Sequence, residues 1–321
     1  MRSSLIFLLS LSFGVLAKDV YIMGFGSCLD QRNPQEIFTS IKKENLDHFI
    51  FLGDNVYGDV PKAENLEKLQ LAYQKQKTLI PNWLKDIEVD AIWDDHDYGL
   101  NDGGGSFALK EEAQQLFLEF WDIPITDQRQ QQEGIYFSKN INLGNKKVVI
   151  IALDTRYFRS DLKGKRNEYQ PNIDPDATIL GAPQWDWLAQ QITKKADLVI
   201  LLSSIQILPT KHRFEKWSNF PNEREKLLNM ILGSPNASNT IIVSGDRHRG
   251  ALYEYKNIYE LTASALNKVN STNIEEDPLL VGSTFPELNY GILEINPTQN
   301  HINIMLKDFN GEILVQKTMD I

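Results

Sequence analysis

The stretch His48-Phe49-Ile50-Phe51-Leu52-Gly53-Asp54-Asn55-Val56-Tyr57 passes from four consecutive large apolar residues straight into a glycine, a carboxylate and a phenol. A short apolar run with so abrupt a polar stop reads as a strand buried on both faces, with chemistry at its C-terminal tip. The same pattern recurs along the chain. Val20–Phe25 stops at Gly26-Ser27-Cys28, Asp90–Trp93 at Asp94-Asp95-His96-Asp97, Lys147–Leu153 at Asp154-Thr155-Arg156, and Thr240–Val243 at Ser244-Gly245-Asp246-Arg247-His248. Leu198–Leu202 is a further buried run. Between the runs, Pro34–Lys43, Glu64–Gln76, Phe107–Trp121, Pro183–Lys194 and Glu223–Leu232 carry helical periodicity. The alternation predicts an α/β fold. Ligands of open α/β sheets bind beyond the carboxyl ends of the strands, so the five polar tips should converge on one site.

Past Tyr259 the pattern changes to alternating strands without helices, at Tyr290–Ile295, His301–Leu306 and Glu312–Lys317, with Asp308-Phe309-Asn310-Gly311 as a turn. These strands read as the second sheet of a sandwich. The polar connection from Asn267 to Asn289 is long, and is expected to be a lid or a loop with local structure. With no convincing linker, residues 18–321 are taken as one domain.

At 321 residues, 42% hydrophobic and 24% charged, the chain is a globular protein, which excludes disordered and collagen-like classes. Its 33 basic against 43 acidic residues give a net charge of −10, so no specific nucleic-acid binding is expected. Any phosphate chemistry then needs a local positive centre. Residues 1–17, MRSSLIFLLSLSFGVLA, read as a Sec-type signal cleaved after Ala17, which predicts a secreted or periplasmic protein. The apolar run is too short to be a transmembrane anchor. Cys28 is the single cysteine and makes no internal disulfide, leaving filler, an intermolecular bridge or a metal ligand. Sequons begin at Asn236 and Asn270, and matter only in a eukaryotic secretory route.

Together the tips hold a thiol, several carboxylates, the Tyr57 phenol and the imidazoles of His96 and His248. Crowded carboxylates repel each other and resist burial, so they call for cations. Soft thiolate and imidazole beside hard carboxylate oxygen suits two unlike cations, a transition metal next to calcium or magnesium. Taken singly, Gly53-Asp54 is equally an Asx turn, His96 a surface ion pair and Tyr57 a core residue. In strand-tip register they read as one site. Two other classes account for fewer of these residues. A glycosidase using Asp54 and Asp95 leaves the thiol idle, and a non-catalytic calcium-binding secreted module uses only the aspartates.

In this order, Gly26-Ser27-Cys28, Gly53-Asp54-Asn55-Val56-Tyr57, Trp93-Asp94-Asp95-His96-Asp97-Tyr98-Gly99, Leu153-Asp154-Thr155-Arg156 and Ser244-Gly245-Asp246-Arg247-His248 resemble the alkaline phosphatase D-like branch of the calcineurin-like metallophosphoesterases. Glu215-Lys216-Trp217, Glu260-Leu261-Thr262-Ala263-Ser264 and Asn289-Tyr290-Gly291 add to the likeness. The resemblance implies a four-layer αββα sandwich of two mixed sheets flanked by helices, with Fe3+ and Ca2+ at the strand tips. It implies Cys28, Asp54 and Tyr57 as iron ligands, Asp54 bridging to calcium, and Asp95, Asp246 and His248 completing the set. The wider superfamily opens with Asp-x-His, carries Asn before its central histidine and adds a later metal histidine. Here those places hold Ser27-Cys28, Asp95 and Gln206. The β domain that precedes the Gly-Ser-Cys motif in some relatives is also expected to be missing.

The expected reaction is in-line displacement at phosphorus by metal-bound hydroxide on a phosphate monoester or diester. Arg156 is expected to hold a nonbridging phosphate oxygen through its planar fork, with an ion pair to Asp154 as the alternative. His96 is the expected general acid. Asn101 and His212 are expected to contact substrate, with Lys211 and Arg213 beside its second substituent. A phospholipase-like diesterase acting on lipid head groups is the nearest alternative.

Overall fold

The computed structural model describes residues 20–321 apart from 63 and 271, so the expected signal sequence lies outside the described residues. Among the described residues fourteen strands and six α-helices follow in order. The strands are β1 (Tyr21–Gly26), β2 (His48–Leu52), β3 (Glu88–Ile92), β4 (Phe137–Leu143), β5 (Lys146–Ala152), β6 (Lys163–Lys165), β7 (Glu168–Gln170), β8 (Leu198–Ser203), β9 (Thr240–Ser244), β10 (Ala251–Tyr255), β11 (Ile258–Thr262), β12 (Asn289–Asn296), β13 (His301–Asp308) and β14 (Ile313–Asp320). The helices are α1 (Phe38–Lys43), α2 (Glu67–Leu79), α3 (Asp95–Tyr98), α4 (Lys110–Phe120), α5 (Gly181–Ile192) and α6 (Pro221–Leu232).

One six-stranded sheet has the order β14-β13-β12-β1-β2-β3, and the other β10-β11-β9-β8-β5-β4. Both are mixed. In the first, β1, β2 and β3 run parallel while β12 pairs antiparallel with β1, and in the second β5, β8, β9 and β11 run parallel between antiparallel partners. Alternate residues of β5 serve two cores. Val148, Ile150 and Ala152 face the core shared with the first sheet, whereas Val149, Ile151 and Leu153 pack with Leu188, Ile192, Leu227 and Ile231 of α5 and α6. On the opposite side Phe38 of α1 lies edge-on to Phe49, and Trp121 beyond α4 packs on Phe51 of β2. The result is the four-layer αββα sandwich expected.

The last three strands correct the reading made from sequence. They do not form the second sheet but extend the first, because β12 takes the free edge of β1 in a register that runs from Tyr21↔Ile295 to Phe25↔Gly291. The second sheet is instead built by β5, β8 and β9 with β4, β10 and β11, which were not anticipated. The expected helix from Pro34 begins only at Phe38, after a pair of turns. Asn236 is fully buried, and its amide holds the backbones of Ile192, Lys194 and Ala196, so that sequon is a structural corner.

Candidate metal centre

The tips of both sheets meet. Cys28 N–H donates to the Gly53 carbonyl at 3.3 Å, Gly245 N–H to Ser204 at 3.0 Å, and Ser204 Oγ to Asp94 Oδ1 at 2.5 Å. Gly53 has φ 100°, and a Cβ there would lie 2.6 Å from Asp94 Cβ and 2.7 Å from its backbone nitrogen. Only glycine permits both the turn and that approach. Asp97 is the hub of this corner. Its carboxylate accepts from the backbone N–H of Asp94 at 2.5 Å and from those of Asp54 and Asn55 at 3.2 Å each, locking the second tip to the third. Cys28, Asp54, Asp246 and His248 all have left-handed backbones, with φ between 52° and 65°. Non-glycine residues take this conformation at a cost, and its concentration here marks a site rather than a set of ordinary turns.

Among the described residues, three groups have donor atoms within 4.8 Å of one another, namely Cys28 with Asp54 and His248, Asp54 with Asp95 and His96, and Asp54 with Asp94 and Asp246. Asp54 belongs to all three. Its Oδ2 is 3.5 Å from Cys28 Sγ and accepts from the Tyr57 hydroxyl at 3.0 Å. Nδ1 of His248 meets the Lys268 carbonyl at 2.6 Å, and its backbone N–H donates to Ser264 Oγ at 2.7 Å. Nδ1 of His96 lies 2.7 Å from Asp59 Oδ2, while Nε2 stands 3.9 Å from Asp95 Oδ1. The Tyr57 ring is covered by His96 at 4.2 Å between centroids and by the Lys268 ammonium at 3.4 Å.

Burial raises Asp54 and Asp246 well above the carboxylate range, and the acids around each add to the effect. Burial also lifts Asp94 to about 7, despite Arg156, and Cys28 to about 11. Burial works against charge on His96, yet Asp95, Asp54 and Asp59 outweigh it and hold the ring up at about 10. Burial pushes His248 down to about 4, keeping the neutral imidazole that a ligand requires. Among the described residues Asp94 Oδ2 and Asp95 Oδ1 have no hydrogen-bond partner. Buried carboxylates each with one oxygen left unpartnered, beside a thiol and a phenol, are a donor set that fits cations.

Arg156 departs from its expected role. It is fully buried and absent from the cavity wall, and its fork is spent on Asp94 (Nε 2.7 Å, Nη2 2.5 Å) and Glu215 (Nη1 2.6 Å). Asp154 receives only its backbone N–H, and that carboxylate's second oxygen takes the Ile135 N–H. Gln206 also stays out of the site, bonded to Thr262 and Tyr253. A cavity of about 840 Å³ opens on Asp95, His96, Asp246 and His248, and its wall includes Asn101 and His212. Asn101 bonds Asp102 and Arg166 there. Asp94, Asp59 and Glu215 were not singled out from sequence. Asp94 and Glu215 lie inside quoted motifs, whereas nothing local marks Asp59.

A family model described as PhoD-like phosphatase matches residues 70–303. No curated protein matches the chain by sequence. Among solved structures, "Structure of PhoD" is 18% identical with a TM-score of 0.72, covering 94% of this chain and 69% of its own. GAP50, the anchor in the inner membrane complex of Plasmodium, is 13% identical with a TM-score of 0.64, covering 95% of this chain and 90% of its own. Purple acid phosphatase PPD1 from yellow lupin (Lupinus luteus) seeds is 10% identical with a TM-score of 0.60, covering 94% of this chain and 54% of its own. The family model spans most of the chain, the fold agrees beyond its limits, and the donor groups meet at the strand tips: the chain belongs to the PhoD-like phosphatases and is a metal-dependent phosphoesterase.

Proposed function

We propose that this enzyme hydrolyses phosphate monoesters or diesters at a two-cation centre, with Asp54 common to the donor groups that would hold the two ions. The observation that carries the reading is the membership of Asp54 in all three donor groups. In this assignment Cys28, Tyr57, His248 and Asp54 would hold Fe3+, since thiolate, phenolate and neutral imidazole suit a transition-metal ion better than an alkaline-earth one. Asp95 and Asp246, with Asp94, offer the hard oxygens that Ca2+ takes. When bound, the cations supply the positive charge that the acidic chain lacks and lower the pKa of water at phosphorus.

The protein's own part is positioning and proton movement. Asp59 fixes Nδ1 of His96, so Nε2 faces the carboxylates and is placed to protonate the departing alcohol oxygen. Arg156 acts through Asp94 rather than on substrate, holding that carboxylate in line with Asp95. Asn101 and His212, on the cavity wall, are the substrate contacts. Cleavage after Ala17 and export complete the proposal. No helix among the described residues is long and apolar enough to cross a membrane. A phospholipase-like diesterase is the variant that differs only in the alcohol accepted.

The test is hydrolysis of a nitrophenyl phosphodiester and the matching monoester, with and without chelator, alongside metal analysis of wild type and Asp54→Asn. Chelator-sensitive turnover lost with both ions in the variant is expected. Metal-replete protein that hydrolyses neither ester would overturn the proposal, and iron bound without calcium would overturn the paired assignment.

A further inference from the structure

Together with six carboxylates, five arginine and lysine side chains line the cavity beside the metal centre. Two of them, Arg247 and Arg249, flank His248 and are only 5% and 4% exposed. Both lean on one carboxylate. Glu275 Oε1 lies 2.6 Å from Arg247 Nη2, and Oε2 lies 3.7 Å from Arg249 Nε. Arg249 also donates to the Asn273 carbonyl, and the Arg247 guanidinium lies 4.4 Å above the Phe214 ring. Glu275 is the one carboxylate in an ion pair with either arginine, and among the described residues the Nε–H groups of both have no hydrogen-bond partner.

His212 adds a second, independent observation. Its two ring nitrogens line this wall without any hydrogen-bond partner among the described residues. Burial, with Arg247, Lys216 and Arg249 nearby, holds the ring neutral, so it can donate one N–H to an anion. Unfilled cationic and imidazole donors on a wall next to the reacting centre are what an anionic oxygen group would satisfy. Glu275 belongs to the 267–289 connection, where its backbone N–H donates to Thr284 Oγ1 at 3.0 Å. Its carboxylate already occupies part of the place that such a group would take.

We propose that Arg247, Arg249 and His212 form a subsite for a second phosphate carried on the leaving alcohol, and that Glu275 fills it until such a substrate displaces it. This rests on the phosphoesterase reading and adds the class of substrate preferred. In the reaction, water oxygen bonds to phosphorus and the ester P–O bond breaks. The alcohol leaves with a proton and still bears its own phosphate.

The experiment compares kcat/KM for propyl phosphate and for propane-1,3-diol bisphosphate in the metal-loaded enzyme. A third arm, the same bisphosphate with one phosphate as its methyl diester, separates a terminal second phosphate from one inside a chain. The bisphosphate should be preferred on the order of ten-fold, the worth of about one charged hydrogen-bond pair. Glu275→Gln should widen the ratio several-fold and Arg249→Gln should bring it near one. Because the ratio is internal to each protein, altered folding or metal content cancels. If the glutamine variant does not fold, Arg249→Lys, which keeps the charge but loses the guanidinium fork, should lower the ratio in part, and an unchanged ratio would overturn the subsite. A wild-type ratio near one, or a ratio that Arg249→Gln leaves alone, overturns the subsite. A ratio unmoved by Glu275→Gln overturns the displacement. If neither ester is turned over, the phosphoesterase reading has failed on its own. Calorimetric titration with the bisphosphate then decides the subsite, with weaker binding by Arg249→Gln expected and equal binding refuting it.

Discussion

Replacing Arg156 with lysine separates two accounts of that residue. If Arg156 held substrate, Arg156→Lys would raise KM and leave the protein otherwise intact. The structure argues for a different outcome, because the guanidinium fork serves two buried carboxylates at once, Asp94 through Nε and Nη2 and Glu215 through Nη1. A lysine ammonium in the same space reaches one of them. Glu215 keeps Arg159 Nε at 2.9 Å, so the carboxylate at risk is Asp94, and leaving it without its cation at full burial costs about 3 kcal/mol, the lower end for breaking a buried ion pair. At roughly 2 °C per kcal/mol for a chain of this size, melting should fall by about 6 °C. Burial already lifts Asp94 to about 7 with Arg156 present, so the change should also keep Asp94 protonated and weaken its hold on a cation. Thermal melts and metal analysis of wild type and variant, beside kcat and KM, read all three effects. Wild-type melting and metal content with a raised KM alone would refute the reasoning and return Arg156 to the substrate.

Cys28→Ala should deplete iron more than calcium, since a thiolate has little affinity for a hard alkaline-earth ion, and equal loss of both would contradict the assignment. Gly53→Ala forces a Cβ to within 2.7 Å of the Asp94 backbone nitrogen at φ 100°, so lower melting and loss of both metals are expected. Asp97→Ala removes the acceptor shared by the Asp94, Asp54 and Asn55 backbones, and should destabilise by about 3 kcal/mol in urea titration. In chelated protein, Asp94 at about 7 folded, against an ordinary value near 3.8 unfolded, means that folding takes up a proton in that window. The stability present at low pH is therefore lost as pH rises through 7, and chelated protein should melt higher at about pH 5.5 than at about pH 7.5.

The strand tips were legible in sequence because a buried parallel strand is written as an unbroken apolar run, and its polar stop is conspicuous. Sheet membership was not. Tyr290–Ile295 alternates as any half-buried strand does, and nothing local says that it will take the edge of β1 rather than face it. The strand Phe137–Leu143, with Lys139, Asn140 and Asn142 at its centre, lacks the apolar density that reveals β5 beside it. Of the residues that the structure brings together, Cys28, Asp54, Asp95, His96, Asp246 and His248 lie in the quoted tips, whereas nothing local marks those that reach in from elsewhere. Asp59 meets His96 across 37 positions, and Glu275 meets Arg247 across 28. Arg156 shows the converse limit. A planar cation at a strand tip suggests an anion to hold, but whether that anion belongs to substrate or to the protein depends on depth, which sequence spacing does not encode.

The left-handed backbones at Cys28, Asp54, Asp246 and His248 bear on heat tolerance as well as on metal. Each position holds a side chain in a conformation that glycine would accept with less strain. Exchanging any one of them for glycine relaxes the chain while removing a proposed ligand. Selection for thermal endurance of the metal-free protein would therefore drift toward inert variants, and an engineer seeking a hardier enzyme should leave these four corners alone and work on the helices outside the sheets.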